Sequence, residues 1–295
     1  MSPSSITFLV HQLVDTQVYF FRGIAVVIYV HTLSFNQGFV PGYMREDEGV
    51  PHTGALYTYM AEQGYFVMTY DQVGTGIRVL EDAPFYSRYP NSSKFARMVS
   101  DVHAAVDFVY CLSVAGHQNA SCQTGEAHDA TYPDKLAALP RTNMSSVTVV
   151  GYSVGGTVGL HAAALDSRIT AVASLAGVAA WRQPMPESTG GLRRWYEWFG
   201  LLPRLGLFDK DPGRIPYELD EVLAAVAPRP LLLYTPQRDR DTVYQDVQEL
   251  AQRAQRHYSS SGVAARFTWE APNRINILTN TDILVFARWM KQQQH

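Results

Sequence analysis

The sequence has little cysteine, little charge and no long apolar run, and each shortage argues against a class of protein. Its 295 residues include two cysteines, Cys111 and Cys122, too few for a multi-disulfide scaffold; whether the two pair or stay free thiols is left open. Charged residues make up 17%, with a net charge of −3 and no run of one sign. This argues against nucleic acid as a partner and against an anionic membrane surface. The histidines and cysteines show no zinc spacing, so we expect neither metal nor cofactor.

No segment is long enough to cross a membrane. The longest clean apolar run near the N-terminus, residues 23–30, is far shorter than the roughly 20 residues that a spanning helix needs. No basic region precedes an apolar stretch there, so we expect a soluble protein without a clear signal peptide. Asn-x-Ser sequons at Asn91, Asn119 and Asn143 point the other way. Localisation and oligomeric state therefore stay open.

Short apolar runs alternate with helical patterns along most of the chain. Strands are predicted at 24–30, 66–70, 147–150, 169–175, 230–234 and 265–269, and helices at about 53–63, 94–112, 156–165, 219–226, 242–257 and 280–293. This alternation predicts an α/β fold: one domain over residues 1–295, with a mostly parallel sheet covered by helices on both faces.

Two segments interrupt the alternation. Residues 113–142 are polar and predict a surface excursion before the third strand. Residues 181–217 are dense in Trp, Gly and Pro and predict a short lid inserted between two strands. A packed irregular loop whose aromatic residues serve the core is the alternative interpretation of this insertion.

The stretch TVVGYSVGGTVGLHAAAL, residues 148–165, carries the strongest chemical signal. A β-branched run precedes Gly151, Ser153 and Gly155, and a run of small and apolar residues with helical character follows them. Strand, tight turn and helix are the setting in which G-x-S-x-G forms a nucleophile elbow, which exposes the serine oxygen on a strained turn. Ser153 is therefore the candidate nucleophile, with an ordinary serine in a Gly-rich turn as the alternative.

Four stretches together resemble the α/β-hydrolase fold family over about residues 24–290. They are the strand that ends in His31, YDQVGTG at 70–76, the elbow at 151–155 and RPLLLYTPQRDRD at 229–241. HTLSFNQGF, FYSRYP and GLLPRLGLF are similar to its dienelactone-hydrolase-like and acetyl-xylan-esterase-like branches. The resemblance implies a serine hydrolase that cleaves a carboxylic ester, a small molecule, through an acyl-enzyme on Ser153.

The same resemblance implies where the other groups of the site lie. The oxyanion hole would use the backbone N–H of Val154 and one from Thr32 or Leu33. An acid would follow the strand at 230–234, and we assign it to Asp239. Asp241 is the rival, and a helix-capping role for both carboxylates is the alternative.

The base that should complete the site is missing from its expected place. The loop EAPNRINILTN, residues 270–280, holds no histidine, and Asn273 or Arg274 stands where one is expected. Neither side chain accepts a proton near neutral pH. His52, at the start of a predicted helix, is the best of the remaining candidates for the base. Its alternative role is that of a surface residue. The alternative function is accordingly a catalytically impaired relative that binds a small ligand, or a non-hydrolytic enzyme such as a lyase.

Three residues are predicted to contact the substrate. Trp181 begins the aromatic insertion, Tyr152 precedes the nucleophile, and Arg274 would favour a carboxylate-bearing substrate if its side chain faced inward. Arg193 and Arg194 are a further pair that would either steer an anion or lie on the surface.

Overall fold

The computed structural model describes residues 24–33, 53–113, 141–183, 191–277 and 279–293. Its strands are β1 (Ile24–Val30), β2 (Phe66–Thr69), β3 (Thr142–Tyr152), β4 (Ala171–Leu175), β5 (Leu231–Tyr234) and β6 (Phe267–Glu270). Its α-helices are α1 (Thr53–Glu62), α2 (Phe85–Arg88), α3 (Lys94–Leu112), α4 (Val154–Leu165), α5 (Leu219–Val226), α6 (Tyr244–Ser260) and α7 (Asn280–Gln292). The strands form one parallel sheet in the order β2-β1-β3-β4-β5-β6, which confirms the predicted α/β fold.

Strand β1 shows why both faces of the sheet are covered. Its side chains alternate, so that Val26, Ile28 and Val30 join one buried cluster while Val27 and Tyr29 join another. The first cluster takes residues from α3, α4, α5 and α6, and the second takes residues from α1 and α7. A strand buried on both sides must be apolar throughout, as the run IAVVIYV is.

The strand order reverses between β1 and β3, and this reversal positions the site. From β1 the chain crosses through α1 to β2 on one side, and it later returns to place β3 on the other side of β1. Ligands of such sheets bind beyond the carboxyl ends of the strands at the point of reversal. Ser153 follows directly after the carboxyl end of β3.

The third strand is longer than its apolar run. It begins at Thr142, and its first two residues pair with Ile24 and Ala25 before the register shifts at Val26, which faces Val147. The residues between, MSS at 144–146, form an irregularity whose polar character hid the strand in the sequence. The part of the insertion between 191 and 217 consists of short turns, including a π-helical turn at Arg194–Trp198 and a 3-10 helix at Pro203–Phe208.

Two further features concern the cysteines and the lipid bilayer. Cys111 is disulfide-bonded, and Cys122, the other cysteine of the chain, lies outside the described residues. None of the helices in the described ranges combines the length and the apolar character needed to span a lipid bilayer.

Gly155 should tolerate no side chain, because the start of α4 packs directly on the end of β1. A Cβ at this position would lie 2.0 Å from the Val30 carbonyl oxygen, so Gly155→Ala should lower the free energy of unfolding by about 3 kcal/mol. Gly64→Ala is the matched control: its φ is +88° but nothing lies within 4 Å, and backbone strain alone costs about 1 kcal/mol. Urea unfolding of both variants measures the difference, and equal losses would contradict the close contact.

Candidate active site

Ser153 lies on a strained turn between β3 and α4. Its φ of 54° and ψ of −123° place it in a region that L-residues rarely adopt. The backbone N–H of Ser153 donates to the Leu175 carbonyl at 2.8 Å, and its carbonyl accepts from Gly156 at 2.8 Å. The turn is thus fixed from both sides, in the geometry that the sequence predicts for a nucleophile elbow.

The predicted oxyanion-hole residues lie at the end of β1 and the start of α4. Val154 is the first residue of α4, where backbone N–H groups have no acceptor within the helix and the helix dipole favours negative charge. The close approach of Gly155 to Val30 brings the chain after β1 to this helix terminus. Thr32 and Leu33, both half-buried, follow in that chain. Their role as donors stays a prediction.

His31 holds this segment in place as a neutral group. Its Nδ1 hydrogen-bonds to the Thr32 carbonyl, so Nδ1 carries a proton, and Nε2 accepts from the Gln72 backbone N–H at 3.3 Å. Burial lowers the pKa of His31. With both ring nitrogens engaged in hydrogen bonds, His31 has a structural role in this segment.

An open cleft lies over Ser153. The described residues that line it, besides Ser153, are Val154, Thr157, Ala176, Gly177, Val178, Ala179, Gly191, Arg194, Trp195, Phe199, Asp241 and Thr242. Ser153 and Ala176, with φ of 54° and 52°, are the non-glycine residues with positive φ in the described part of the chain. Backbone strain concentrates at functional sites, and here both strained residues line one cleft.

Asp239 lies in the loop after β5, as predicted for the acid, and is 7% exposed. One carboxylate oxygen accepts from the Asp241 backbone N–H at 2.9 Å and the other from Asn276 Nδ2 at 3.0 Å. Burial raises the pKa of Asp239, and the Asp241 carboxylate also raises it, while Arg194 lowers it. The carboxylate is therefore held in a place where its charge is costly.

Asn276 occupies the position that faces this acid. Its Nδ2 donates to Asp239, and its Oδ1 accepts from the Tyr152 hydroxyl at 2.9 Å. Burial and the charges of Asp239 and Asp241 raise the pKa of Tyr152 to about 12, so this phenol stays protonated and donates. The side chain between the acid and the neighbour of the nucleophile is thus an amide.

Asn273 and Arg274, which the sequence places where a histidine is expected, do not contact Asp239, whereas Asn276 of the same loop does. Asn273 lies on the surface, where its Oδ1 accepts from Arg238 Nε at 2.8 Å. The loop after β6 runs beside the loop after β5, with hydrogen bonds from Gln237 to Pro272 and from Arg238 to Arg274. This pairing carries the chain past the sheet before it turns toward Asp239, which no local sequence signal shows.

Arg274 does not face the substrate, and its predicted role is corrected. Its guanidinium donates to Thr279 Oγ1 at 2.9 Å and forms an ion pair with Asp282 at 2.7 Å. Both partners belong to the capping box of α7. Arg274 therefore stabilises the start of a helix.

Arg194 is the arginine that lines the cleft. Its Nη1 and Nη2 lie 2.8 Å and 3.2 Å from the two carboxylate oxygens of Asp241, and its guanidinium is 5.7 Å from the Phe199 ring centre. The ion pair joins the insertion to the loop after β5. Its neighbour Arg193 is exposed and pairs with Glu197.

Trp181 is a core residue, so its predicted contact with the substrate is also corrected. It is 1% exposed and packs against Trp195, Tyr217 and His161 at ring-centre distances of 5.4, 5.7 and 6.0 Å. Trp195 is the member of this aromatic cluster that reaches the cleft. His161 lies away from the cleft, as expected from its place on α4.

The remaining predicted base, His52, lies outside the described residues. Within those residues, no group of three or more His, Cys, Asp or Glu side chains is arranged to hold a metal ion. In the described part of the chain, the Arg194–Asp241 ion pair lines the cleft with Ser153, and Asp239, Asn276 and Tyr152 form a hydrogen-bonded row.

Replacing Asp239 by Asn should change stability in a pH-dependent way. Burial raises the pKa of this carboxyl, so ionisation costs the folded protein free energy that the unfolded chain does not lose. Relative to wild type, the unfolding free energy of Asp239→Asn should rise as the pH passes about 3.9, and it should level off above the raised value. Urea denaturation across this range measures it.

Glu62→Gln provides the control for this measurement, because Glu62 is an exposed carboxylate at the end of α1. A pH-independent difference between Asp239→Asn and wild type would contradict a desolvated carboxylate at position 239.

Comparison with known proteins agrees with this geometry. The family model of the alpha/beta hydrolase fold matches residues 87–275, more than half of the chain. A carbohydrate esterase family 15 (CE15) glucuronoyl esterase from Caldicellulosiruptor kristjansonii is 19% identical with a TM-score of 0.63, over 92% of this chain and 69% of that one. A glucuronoyl esterase from Solibacter usitatus is 16% identical with a TM-score of 0.59, over 93% and 75%.

A third solved structure, a CE15 glucuronoyl esterase from Teredinibacter turnerae T7901, is 15% identical with a TM-score of 0.61, over 93% of this chain and 67% of that one. No curated protein matches the sequence. At these identities the solved structures support the fold alone. The family model covers β3, the turn at Ser153 and the loop after β5 that holds Asp239. The chain belongs to the α/β-hydrolase fold family.

Proposed function

We propose that the protein hydrolyses a carboxylic ester through an acyl-enzyme on Ser153. The observation that carries this proposal is the strained backbone of Ser153 at the mouth of a cleft, next to the N-terminus of α4. Family membership and the esterases that share the fold support ester hydrolysis as the reaction class.

Each group of the site has a part in this reaction. Ser153 Oγ gives its proton to an acceptor and bonds to the acyl carbon, while the carbonyl oxygen takes up negative charge beside the Val154 N–H. Collapse of the tetrahedral intermediate breaks the bond to the alcohol oxygen, which takes a proton from solvent and leaves as the alcohol. Water then bonds to the acyl carbon, the bond to Ser153 Oγ breaks, and a proton from that water restores the serine hydroxyl as the carboxylic acid leaves. Asp239 is the orienting carboxylate of the site.

A fluorophosphonate probe tests the nucleophile directly. Ser153 should be labelled, and Ser153→Ala should lose both labelling and turnover on a panel of chromogenic esters, because the variant has no oxygen to attack with. Intact-protein mass spectrometry and peptide mapping measure the label, and absorbance measures turnover. Ser145→Ala, which removes an exposed hydroxyl on β3, is the control.

Two other outcomes of this experiment would contradict the proposal. No labelling and no turnover by wild type would favour a small-ligand-binding relative, the function that the amide at position 276 would suit. Ester turnover that survives Ser153→Ala would show that the hydrolysis does not use Ser153 as its nucleophile and would overturn the acyl-enzyme proposal.

Arg194 supports a preference for esters that carry a carboxylate. Among the described residues that line the cleft, Arg194 and Asp241 are the charged ones, and their contact is a model for a carboxylate bound to this guanidinium. Two of the five guanidinium N–H donors serve Asp241, so a substrate carboxylate would share or replace that partner.

The adjacent arginines give a matched test of substrate charge. Arg194→Gln should lower kcat/KM about tenfold for an ester with a carboxylate, relative to a neutral ester of the same size. Asp241→Asn should raise the ratio of kcat/KM for the carboxylate ester to kcat/KM for the neutral ester, because it frees the guanidinium. Arg193→Gln should leave this ratio unchanged. Steady-state kinetics on the two esters measures the ratio; equal effects of Arg194→Gln and Arg193→Gln would contradict the preference.

A further inference from the structure

We propose that Asn276 fills the position of the general base, so that the proton of Ser153 passes to hydroxide from solvent rather than to a side chain. This inference rests on the proposed function and concerns how Ser153 is activated. It assigns positioning roles to Tyr152 and Asp239, which fix the Asn276 amide.

Asn276 lies between the acid and the residue that precedes the nucleophile. Its side chain contacts Asp239 on one side and Tyr152, the residue bonded to Ser153, on the other. In a triad the group that takes the serine proton is oriented by the acid, so the side chain that the loop after β6 places against Asp239 marks the position of the base. In the described part of the chain, Asn276 is the side chain that links the acid to the neighbour of the nucleophile.

The two hydrogen bonds of Asn276 determine which way its amide is oriented. A carboxylate only accepts hydrogen bonds, so the group that faces Asp239 must be the NH₂ of Asn276. The Tyr152 hydroxyl then donates to the amide oxygen. With its oxygen engaged and its nitrogen a donor, Asn276 has no site that takes up a proton near neutral pH.

The balance of the activation step follows from this arrangement. Hydroxide removes the proton from Ser153 Oγ and becomes water, and the alkoxide then forms the bond to the acyl carbon. The rate of acylation should therefore rise in proportion to hydroxide concentration, without the plateau that a protein base of fixed pKa produces.

The test is to put a base where Asn276 stands. Asn276→His should raise the second-order rate constant for fluorophosphonate labelling of Ser153 about 100-fold at pH 7, because an imidazole oriented by Asp239 is a general base. The labelling rate of this variant should level off above the imidazole pKa, about 6.5, whereas that of wild type should keep rising to about pH 9. Mass spectrometry follows the label against time at each pH.

Three variants separate an added base from a disturbed loop. Asn273→His places the same imidazole on the surface of the same loop and should not accelerate labelling. Asn276→Ala removes the amide without adding a base, so labelling should keep the wild-type dependence on hydroxide. Asn276→His with Asp239→Asn should lose most of the gain, because the imidazole loses its orienting carboxylate.

A chemical version keeps the test usable if Asn276→His does not fold. Asn276→Gly leaves space at the same position, and free imidazole should then accelerate labelling of Ser153 up to saturation. Acceleration by imidazole that is equal in wild type would overturn the assignment of position 276.

Failure of the inference and failure of the proposed function have different signatures. Labelling of wild-type Ser153 with no gain in Asn276→His or in imidazole-treated Asn276→Gly overturns the inference and leaves the function. A wild-type rate that levels off near neutral pH, or that is abolished by His52→Ala, likewise shows a protein base elsewhere and overturns it. No labelling of wild type at any pH, with none gained in Asn276→His, overturns both.

Discussion

The backbone of Ser153 is the constraint on which the rest of the site depends. A positive φ at a residue with a side chain costs about 1–3 kcal/mol, and it persists only where the surroundings enforce it. Here the Leu175 carbonyl holds the Ser153 N–H, Gly156 holds its carbonyl, and Gly155 packs on Val30. The same contacts that impose the strain join β1, β3 and β4 at their carboxyl ends. The nucleophile and the expected oxyanion hole therefore exist only when the centre of the sheet is assembled.

The acid side of the site is also held by several hydrogen bonds, and its central group, the Asn276 amide, cannot act as a base. Asp239 is buried, accepts two hydrogen bonds and lies beside an ion pair, and the amide of Asn276 is held at both of its polar atoms. The amide of Asn276 is thus oriented through both of its polar atoms. In our proposal, the elbow and the acid loop keep the arrangement of an ester hydrolase while the proton of Ser153 passes to hydroxide.

Much of the fold and part of the site could be predicted from the sequence, because they depend on local pattern. Both faces of β1 are buried, so its run is continuously apolar, and the elbow must have glycine where Gly151 and Gly155 meet neighbouring backbone. The misses depend on where chains lie in space. The loop after β6 pairs with the loop after β5, so Asn276 rather than Asn273 or Arg274 contacts Asp239, and Arg274 contacts the capping box of α7 instead. Trp181 resembled a lid residue by composition, yet its ring is enclosed.

The enclosed ring of Trp181 has a consequence for how the cleft can change. Trp195, a wall of the cleft, stacks edgewise on Trp181, which packs on His161 of α4, so the binding wall and the hydrophobic interior form one aromatic unit. Remodelling that wall for a differently shaped ligand moves atoms against the helix that presents the nucleophile. Selection for new specificity on this side is therefore coupled to the alignment of the Ser153 oxygen.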